Sequence, residues 1–175
     1  MDVKLLNPFV EAAAEVLKIE IGTAVFRGEL SIQKSSLTAD DVTVLIYLIG
    51  QVYGVVMYGM SISTGLAMVS KMMDQEFTEF NSLAQSGVAE LGNVITGRTA
   101  IKFSEAGYES TISPPTVISG KQVQISTLDF PRLVVPLQTK YGDMRVHIAL
   151  KSTAPGAQAH PEDFMALKLP AEKAA

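Results

Sequence analysis

From Val42 to Ser70 the chain runs for 29 residues without a charge, long enough to span a bilayer and otherwise committed to a protein core. The internal pattern favours the core. Val42-Thr43-Val44-Leu45-Ile46-Tyr47-Leu48-Ile49 is β-branched and aromatic, Gly50-Gln51 is a turn signal, and Val52-Tyr53-Gly54-Val55-Val56-Met57-Tyr58 returns to strand character. Asp40 and Asp41 stand before the run, so no basic flank anchors it at a membrane surface. The expectation is a buried hairpin leading into a helix, because Ser61-Ile62-Ser63-Thr64 carries helix-start residues and apolar spacing then continues to Met73. Met57, Met60, Met68, Met72 and Met73 read as adaptable core packing.

Around this run the chain alternates helical and strand patterns. Phe9 to about Lys18 is a strong helix, with Asn7 expected as its cap and Pro8 in its first turn. Strands are predicted near Ala24–Arg27 and Leu30–Gln33. The second half begins with a long helix from Phe77 to about Lys102, with a break near Phe80-Asn81. Strands follow near Glu109–Ile112, Val123–Leu128, Leu133–Thr139 and Arg145–Lys151, the last hairpin turning at Tyr141-Gly142-Asp143. In that last strand Val146, Ile148 and Leu150 alternate with Arg145, His147, Ala149 and Lys151, which predicts one buried face. The fold class is α+β in two layers: pseudo-repeated units of helix plus β-hairpin, with long helices on a mostly antiparallel sheet. Laying Gly22 on Gly97, at an offset of 75, puts Glu15 on Glu90, Lys18 on Asn93 and Glu11 on Ser86. From Ser152 onward the sequence becomes linker-like. The domain is therefore set at 1–152, and 153–175 is a tail in which Glu162 to Leu169 can form a short helix.

Composition narrows the chemistry. There is no cysteine, which excludes a thiol nucleophile, an iron–sulfur centre and a cysteine zinc site. A net charge of −4 without a Lys/Arg cluster gives nucleic acid nothing to grip and repels anionic membranes. His147 and His160 have no second ligand at metal-binding spacing, so no metal site of its own is expected. No Gly-rich phosphate loop and no Gly-x-Ser-x-Gly elbow occurs. The opening Lys4-Leu5-Leu6-Asn7-Pro8 lacks a secretion signal, and a cytoplasmic protein is expected.

The remaining signal lies in Ser86-Gly87-Val88-Ala89-Glu90-Leu91-Gly92-Asn93. A hydroxyl, a carboxylate and a carboxamide at i, i+4 and i+7 share one helix face. Leu83, Gly87, Leu91, Val94 and Ile95 form an apolar stripe that would turn the trio outward, and Ser82 and Gly97 extend the outward stripe at both ends. Downstream comes Ile112-Ser113-Pro114-Pro115-Thr116-Val117-Ile118-Ser119-Gly120, whose prolines fix a loop or a strand entry.

With the opening Met1-Asp2-Val3-Lys4-Leu5-Leu6-Asn7-Pro8-Phe9, these two motifs in this order resemble the CheX-type members of the CheC/CheX/FliY family of chemotaxis phosphatases, over about residues 1 to 150. The resemblance implies hydrolysis of the aspartyl phosphate of a phosphorylated CheY-like response regulator. Asn93 would orient the attacking water, Glu90 would pair with the regulator's lysine, and Ser86 and Gly97 would belong to the partner-binding surface. It implies no cofactor of its own, Mg²⁺ supplied by the bound regulator, a homodimer made by strand pairing, and one site per chain with the first helix silent. Gly97 also admits the plainer reading of tight packing of helix on sheet. The rival function is a non-catalytic regulator-binding or flagellar-switch adaptor on the same fold.

Overall fold

A computed structural model of the chain describes residues 5–33, 37–125 and 131–153. The elements run α1 (Leu6–Ile21), β1 (Phe26–Arg27), β2 (Ser31–Gln33), β3 (Leu37–Thr38), β4 (Val42–Gly50), β5 (Val52–Met60), α2 (Ile62–Met72), α3 (Ser82–Glu105), β6 (Ser110–Ile112), β7 (Thr116–Ser119), β8 (Gln124–Ile125), β9 (Arg132–Thr139) and β10 (Gly142–Ser152). One sheet follows the order β1-β9-β10-β5-β4-β6, with β2 also on β9 and β7 also on β4; β3 and β8 pair separately. The uncharged run is indeed the β4–β5 hairpin plus α2, and its Val42, Val44, Ile46 and Leu48 are all buried beneath the helices. Each such side chain contributes roughly 1.5–3 kcal/mol of burial. Among the described residues no helix is long and apolar enough to cross a membrane.

The topology is a two-fold pseudo-repeat with exchanged edges. The centre of the sheet is the antiparallel β5–β10 pair, one strand from each half. The first half's β1 and β2 then pair with the second half's β9, while the second half's β6 and β7 pair with the first half's β4. Both edges carry the same irregularity. Gly28, Glu29 and Leu30 lie opposite only Val135 and Pro136 of β9, and Ser113, Pro114 and Pro115 lie opposite only Ile46 and Tyr47 of β4. Each is a one-residue bulge, and prolines are tolerated there because an edge strand needs no outward N–H ladder.

The repeat corrects the offset of 75. The separation is 84 residues from Phe26 to Ser110, 85 from Ser31 to Thr116, 87 from Leu37 to Gln124, and 90 from both Val42 to Arg132 and Val52 to Gly142. An offset of 86 lays Phe9 on Ile95, Ala13 on Thr99 and Leu17 on Phe103, all buried, and puts Asn7 rather than Lys18 on Asn93. Matching Glu15 to Glu90 rested on one shared residue type and ignored the strands.

Local expectations change in four places. Asn7 is not a cap: α1 starts at Leu6 after Leu5, whose side chain makes no capping bond, and Pro8 is accommodated because first-turn N–H groups have no intrahelical acceptor anyway. Phe77 to Phe80 precede α3 instead of opening it, since the Asn81 Oδ1 accepts from Ala84 N at 3.0 Å and sets the start. The final turn falls at Lys140–Tyr141, so Gly142 already belongs to β10. In β10 both faces are buried centrally, His147 being 2% exposed and Ala149 0%. Central position accords with this burial: β10 lies between β5 and β9 and is flanked by sheet on both sides. Met57, Met60 and Met68 are buried as expected, whereas Met73 is exposed. The expected tail helix over 162–169, His160 and the segment 126–128 lie outside the described residues.

Candidate functional site

The site is one face of α3. Ser86 and Glu90 are exposed, and Asn93 and Gly97 are half-buried. The face opposite is seated on the core through Val88, Leu91, Ile95 and Phe103. From Ser86 to Gly97 the face extends roughly 16 Å at 1.5 Å per residue. The outward direction of the trio is therefore as its spacing predicts. Leu83 is a correction: it is 45% exposed and does not join the buried stripe. Seven residues are close to two helical turns, so Leu83 must share the outward line of Glu90, and Ile101, three turns beyond Glu90, is exposed for the same reason. Val94 is half-buried against the core.

The polar groups of this face are held very differently from those of α1. Neither Glu90 nor Asn93 has a side-chain hydrogen bond or ion pair among the described residues. Ser86 donates to Ser82 O at 3.0 Å, which ties its proton down and leaves its lone pairs free to accept. Glu15 of α1, by contrast, accepts from Arg98 Nε at 2.9 Å and from Lys102 Nζ at 2.8 Å, and Glu11 lies 3.4 Å from the same lysine. Hydrogen bonds from Lys102 and then Arg98 pull the Glu15 carboxyl below its ordinary range, and Glu15 in turn raises Lys102. This clamp was legible as two i,i+4 pairs of opposite sign, Glu11/Glu15 and Arg98/Lys102, that an antiparallel helix pair brings together.

The glycines separate into two kinds. At Gly92 a Cβ would stand 3.0 Å from Val44 Cγ1 and 3.2 Å from Tyr58 Cδ2, so the helix lies against β4 and β5 there and a side chain would have to push its neighbours aside. At Gly97 a Cβ would meet only Ile112 Cδ1, at 3.8 Å, an ordinary contact. Tight internal packing thus accounts for Gly92 and does not account for Gly97. Pro114-Pro115 holds the edge bulge between β6 and β7, a structural role.

The comparisons converge on one family. The family described as chemotaxis phosphatase CheX matches residues 42–138. A curated relative, the CheY-P phosphatase CheX of Thermotoga maritima, is 29% identical over 154 residues, covering 87% of this chain and 99% of its own. A CheC-like superfamily protein from Shewanella sp. PV-4 superposes with a TM-score of 0.78 at 27% identity, covering 87% of this chain and all of that one. The structure of a CheX–CheY–BeF₃–Mg²⁺ complex from Borrelia burgdorferi matches with a TM-score of 0.71 at 27% identity, over 86% of this chain and all of the matched chain.

Proposed function

The chain belongs to the CheX family of chemotaxis phosphatases, and from that premise we propose that it hydrolyses the aspartyl phosphate of a CheY-like response regulator with Asn93 and Glu90 in the working roles. The observation that carries this reading is the Glu90/Asn93 pair on the outward face of α3, without a side-chain partner among the described residues, in a molecule where Glu11 and Glu15 of α1 are engaged by Lys102 and Arg98. The relative from Borrelia, in complex with CheY, BeF₃ and Mg²⁺, supports the partner.

An aspartyl phosphate is an acyl phosphate with a good leaving group. Its hydrolysis needs a water in line with the carboxylate oxygen that departs, and a general base adds little. The Asn93 carboxamide oxygen accepts a hydrogen bond from that water and stays neutral, so it does not repel the phosphoryl oxygens. The water oxygen forms the new P–O bond, the bond to the aspartate oxygen breaks, the regulator's carboxylate is released, and the water's proton passes to the phosphate or to solvent. Glu90, one turn before Asn93, pairs with the lysine beside the phosphoaspartate and fixes the docking angle. Mg²⁺ comes with the regulator and neutralises phosphoryl charge there. Ser86 and Gly97 extend the contact surface, Gly97 by leaving room for the partner's backbone, and Leu83 and Ile101 border it with apolar surface at both ends.

The family resemblance further supports a homodimer. Of the two sheet edges, β1–β2 exposes Phe26 (68%), Leu30 (40%) and Ile32 (69%), whereas Ile112, Val117 and Ile118 on the β6–β7 edge are half-buried. A second copy pairing along β1–β2 would cover an apolar edge that is otherwise open to aggregation. Ile32→Lys is expected to yield monomers by light scattering; an unchanged dimer would move the interface elsewhere.

The decisive test is phosphate release from a phosphorylated CheY-like regulator, measured with and without the protein. Acceleration that Glu90→Gln weakens mainly through KM supports the assignment. Binding of the phosphorylated regulator without any acceleration would make the protein an adaptor.

A further inference from the structure

For a helix that carries a site, α3 has an unusual distribution of polarity. It exposes Leu83 and Ile101 and buries Thr96 and Thr99 completely, so the apolar contacts of Val88, Leu91, Ile95 and Phe103 are not all that sets its rotation about its own axis. Thr99 merely closes on its own helix, donating to Ile95 O at 2.9 Å. Thr96 reaches outside the helix. Its hydroxyl donates to Gly92 O at 2.8 Å, and with that proton committed it accepts the Tyr58 hydroxyl, also at 2.8 Å. Tyr58 is fully buried in β5, and burial pushes its phenol above the ordinary range, keeping it a protonated donor. The same ring is what the Gly92 backbone packs against. Gly92 and Thr96 flank Asn93, one residue before it and three after.

We infer that Tyr58 and Thr96 are positioning residues: their buried hydrogen bond, with Gly92 seated on the Tyr58 ring, locks the rotation of α3 and so the direction in which Asn93 meets the phosphoryl group. This rests on the role given to Asn93 above. Neither residue touches the reacting atoms. A rotation of about 20° would carry a side-chain tip at roughly 6 Å from the helix axis through about 2 Å, and displacements of about 1 Å in a positioning group cost about 10²-fold in rate.

The test measures kcat and KM for phosphate release, binding of the BeF₃-loaded regulator, and thermal stability. Tyr58→Phe keeps the ring and removes only the bond to Thr96. It is expected to lower kcat roughly 5- to 30-fold while KM and binding of the loaded regulator stay within about twofold. Thr96→Val should behave alike, and Thr96→Ser, which keeps the hydroxyl, should restore turnover. In an Asn93→Ala background, Tyr58→Phe should have no further effect, because the group it positions is gone. Wild-type kcat in folded Tyr58→Phe and Thr96→Val, or the same proportional loss with and without Asn93, overturns the inference. Wild-type turnover by Asn93→Ala alone would instead remove the reading beneath it, and the inference with it.

Discussion

α1 and α3 are counterparts in a two-fold pseudo-repeat, and Glu11 and Glu15 of the first are used in the opposite way from Glu90 of the second. Glu11 and Glu15 face Arg98 and Lys102 and join the helices to each other. Among the described residues Glu90 has no cation partner. A carboxylate already paired to two cations has little left to offer a partner's lysine, so a docking acid has to stand where its own molecule leaves it unmatched. The repeat thus teaches that the second helix is made competent as much by where the cations are placed as by Glu90 and Asn93 themselves. The first helix retains Asn7 at the position topologically matched to Asn93, but that residue sits in the first turn, and the residue matched to Glu90 is Lys4, of reversed charge.

The sharpest way to break the comparison is to delete the matched amides. Asn93→Ala is expected to lower turnover on the phosphorylated regulator by roughly 10²-fold or more, with stability retained because the side chain lies on the outward face and has no hydrogen bond among the described residues. Asn7→Ala should leave turnover unchanged, and the BeF₃-loaded regulator should saturate near one per chain. Two regulators per chain, or a comparable loss from Asn7→Ala, would show that the first helix works as well.

A second contrast lies at the sheet centre, where His147 of β10 pairs directly with Met57 of β5, one such residue from each half. Burial, then Arg132 and then Arg145, lower the His147 pKa from 6.5 to about 4, and neither ring nitrogen has a hydrogen-bond partner among the described residues. Below about pH 6.5 the unfolded chain binds a proton that the folded chain refuses. Stability therefore falls as pH drops from 6.5 towards 4, and this contribution levels off below 4. At about 1.4 kcal/mol per pH unit the loss reaches on the order of 3 kcal/mol across the window. His147→Met makes the two halves alike here and should flatten that part of the pH–stability curve in urea titrations. An unchanged slope would mean that the imidazole is charged or solvated in the folded state.

Much of this was legible beforehand. The hairpin and α2 follow from an uncharged β-branched run, and the outward trio follows from helical spacing, because both signals are local and periodic. What escaped was set by contacts distant in sequence. His147 sits in a strand whose alternation marks it for solvent, whereas the structure buries it in a central strand flanked by β5 and β9. Leu83 looked like core because it is leucine, although its period with Glu90 placed it outside. The short strands β3 and β7 carry too few residues to show a period at all. The offset between the halves could not be found from one matching glutamate, since the strands that fix it differ in sequence.

Gly92 and Gly97, five residues apart on α3, allow the packing and partner roles of the same residue type to be separated. Gly92→Ala pushes a methyl against Val44 and Tyr58 and should destabilise by roughly 1–3 kcal/mol despite the better helix propensity. Gly97→Ala meets only an ordinary contact with Ile112 Cδ1 and should hold or gain up to about 1 kcal/mol in stability. Its cost should appear as a raised KM for the regulator. If Gly97→Ala leaves KM unchanged, no partner surface approaches that closely.

The smallest expected effect tests the clamp. Glu15 accepts from both Arg98 and Lys102, but at 39% side-chain exposure against 50% for the arginine the pair is well solvated. Exposed ion pairs of this kind contribute little to stability. Glu15→Ala should therefore lower the melting temperature by only a few degrees, leave turnover unchanged, and make the remaining difference from wild type shrink as salt is added. The depressed carboxyl pKa gives the sign with pH: the stabilisation is present above the ordinary carboxylate range and is lost as pH falls through the lower folded value, so wild type and Glu15→Ala should converge in acid. A loss of catalysis without unfolding would mean that freeing Arg98 and Lys102 disturbs the outward face of α3, for instance by letting either cation swing toward Glu90. In that event the two helices would be coupled through their charges, and the separation drawn between a clamped α1 and an open α3 would have to be replaced by a single shared network.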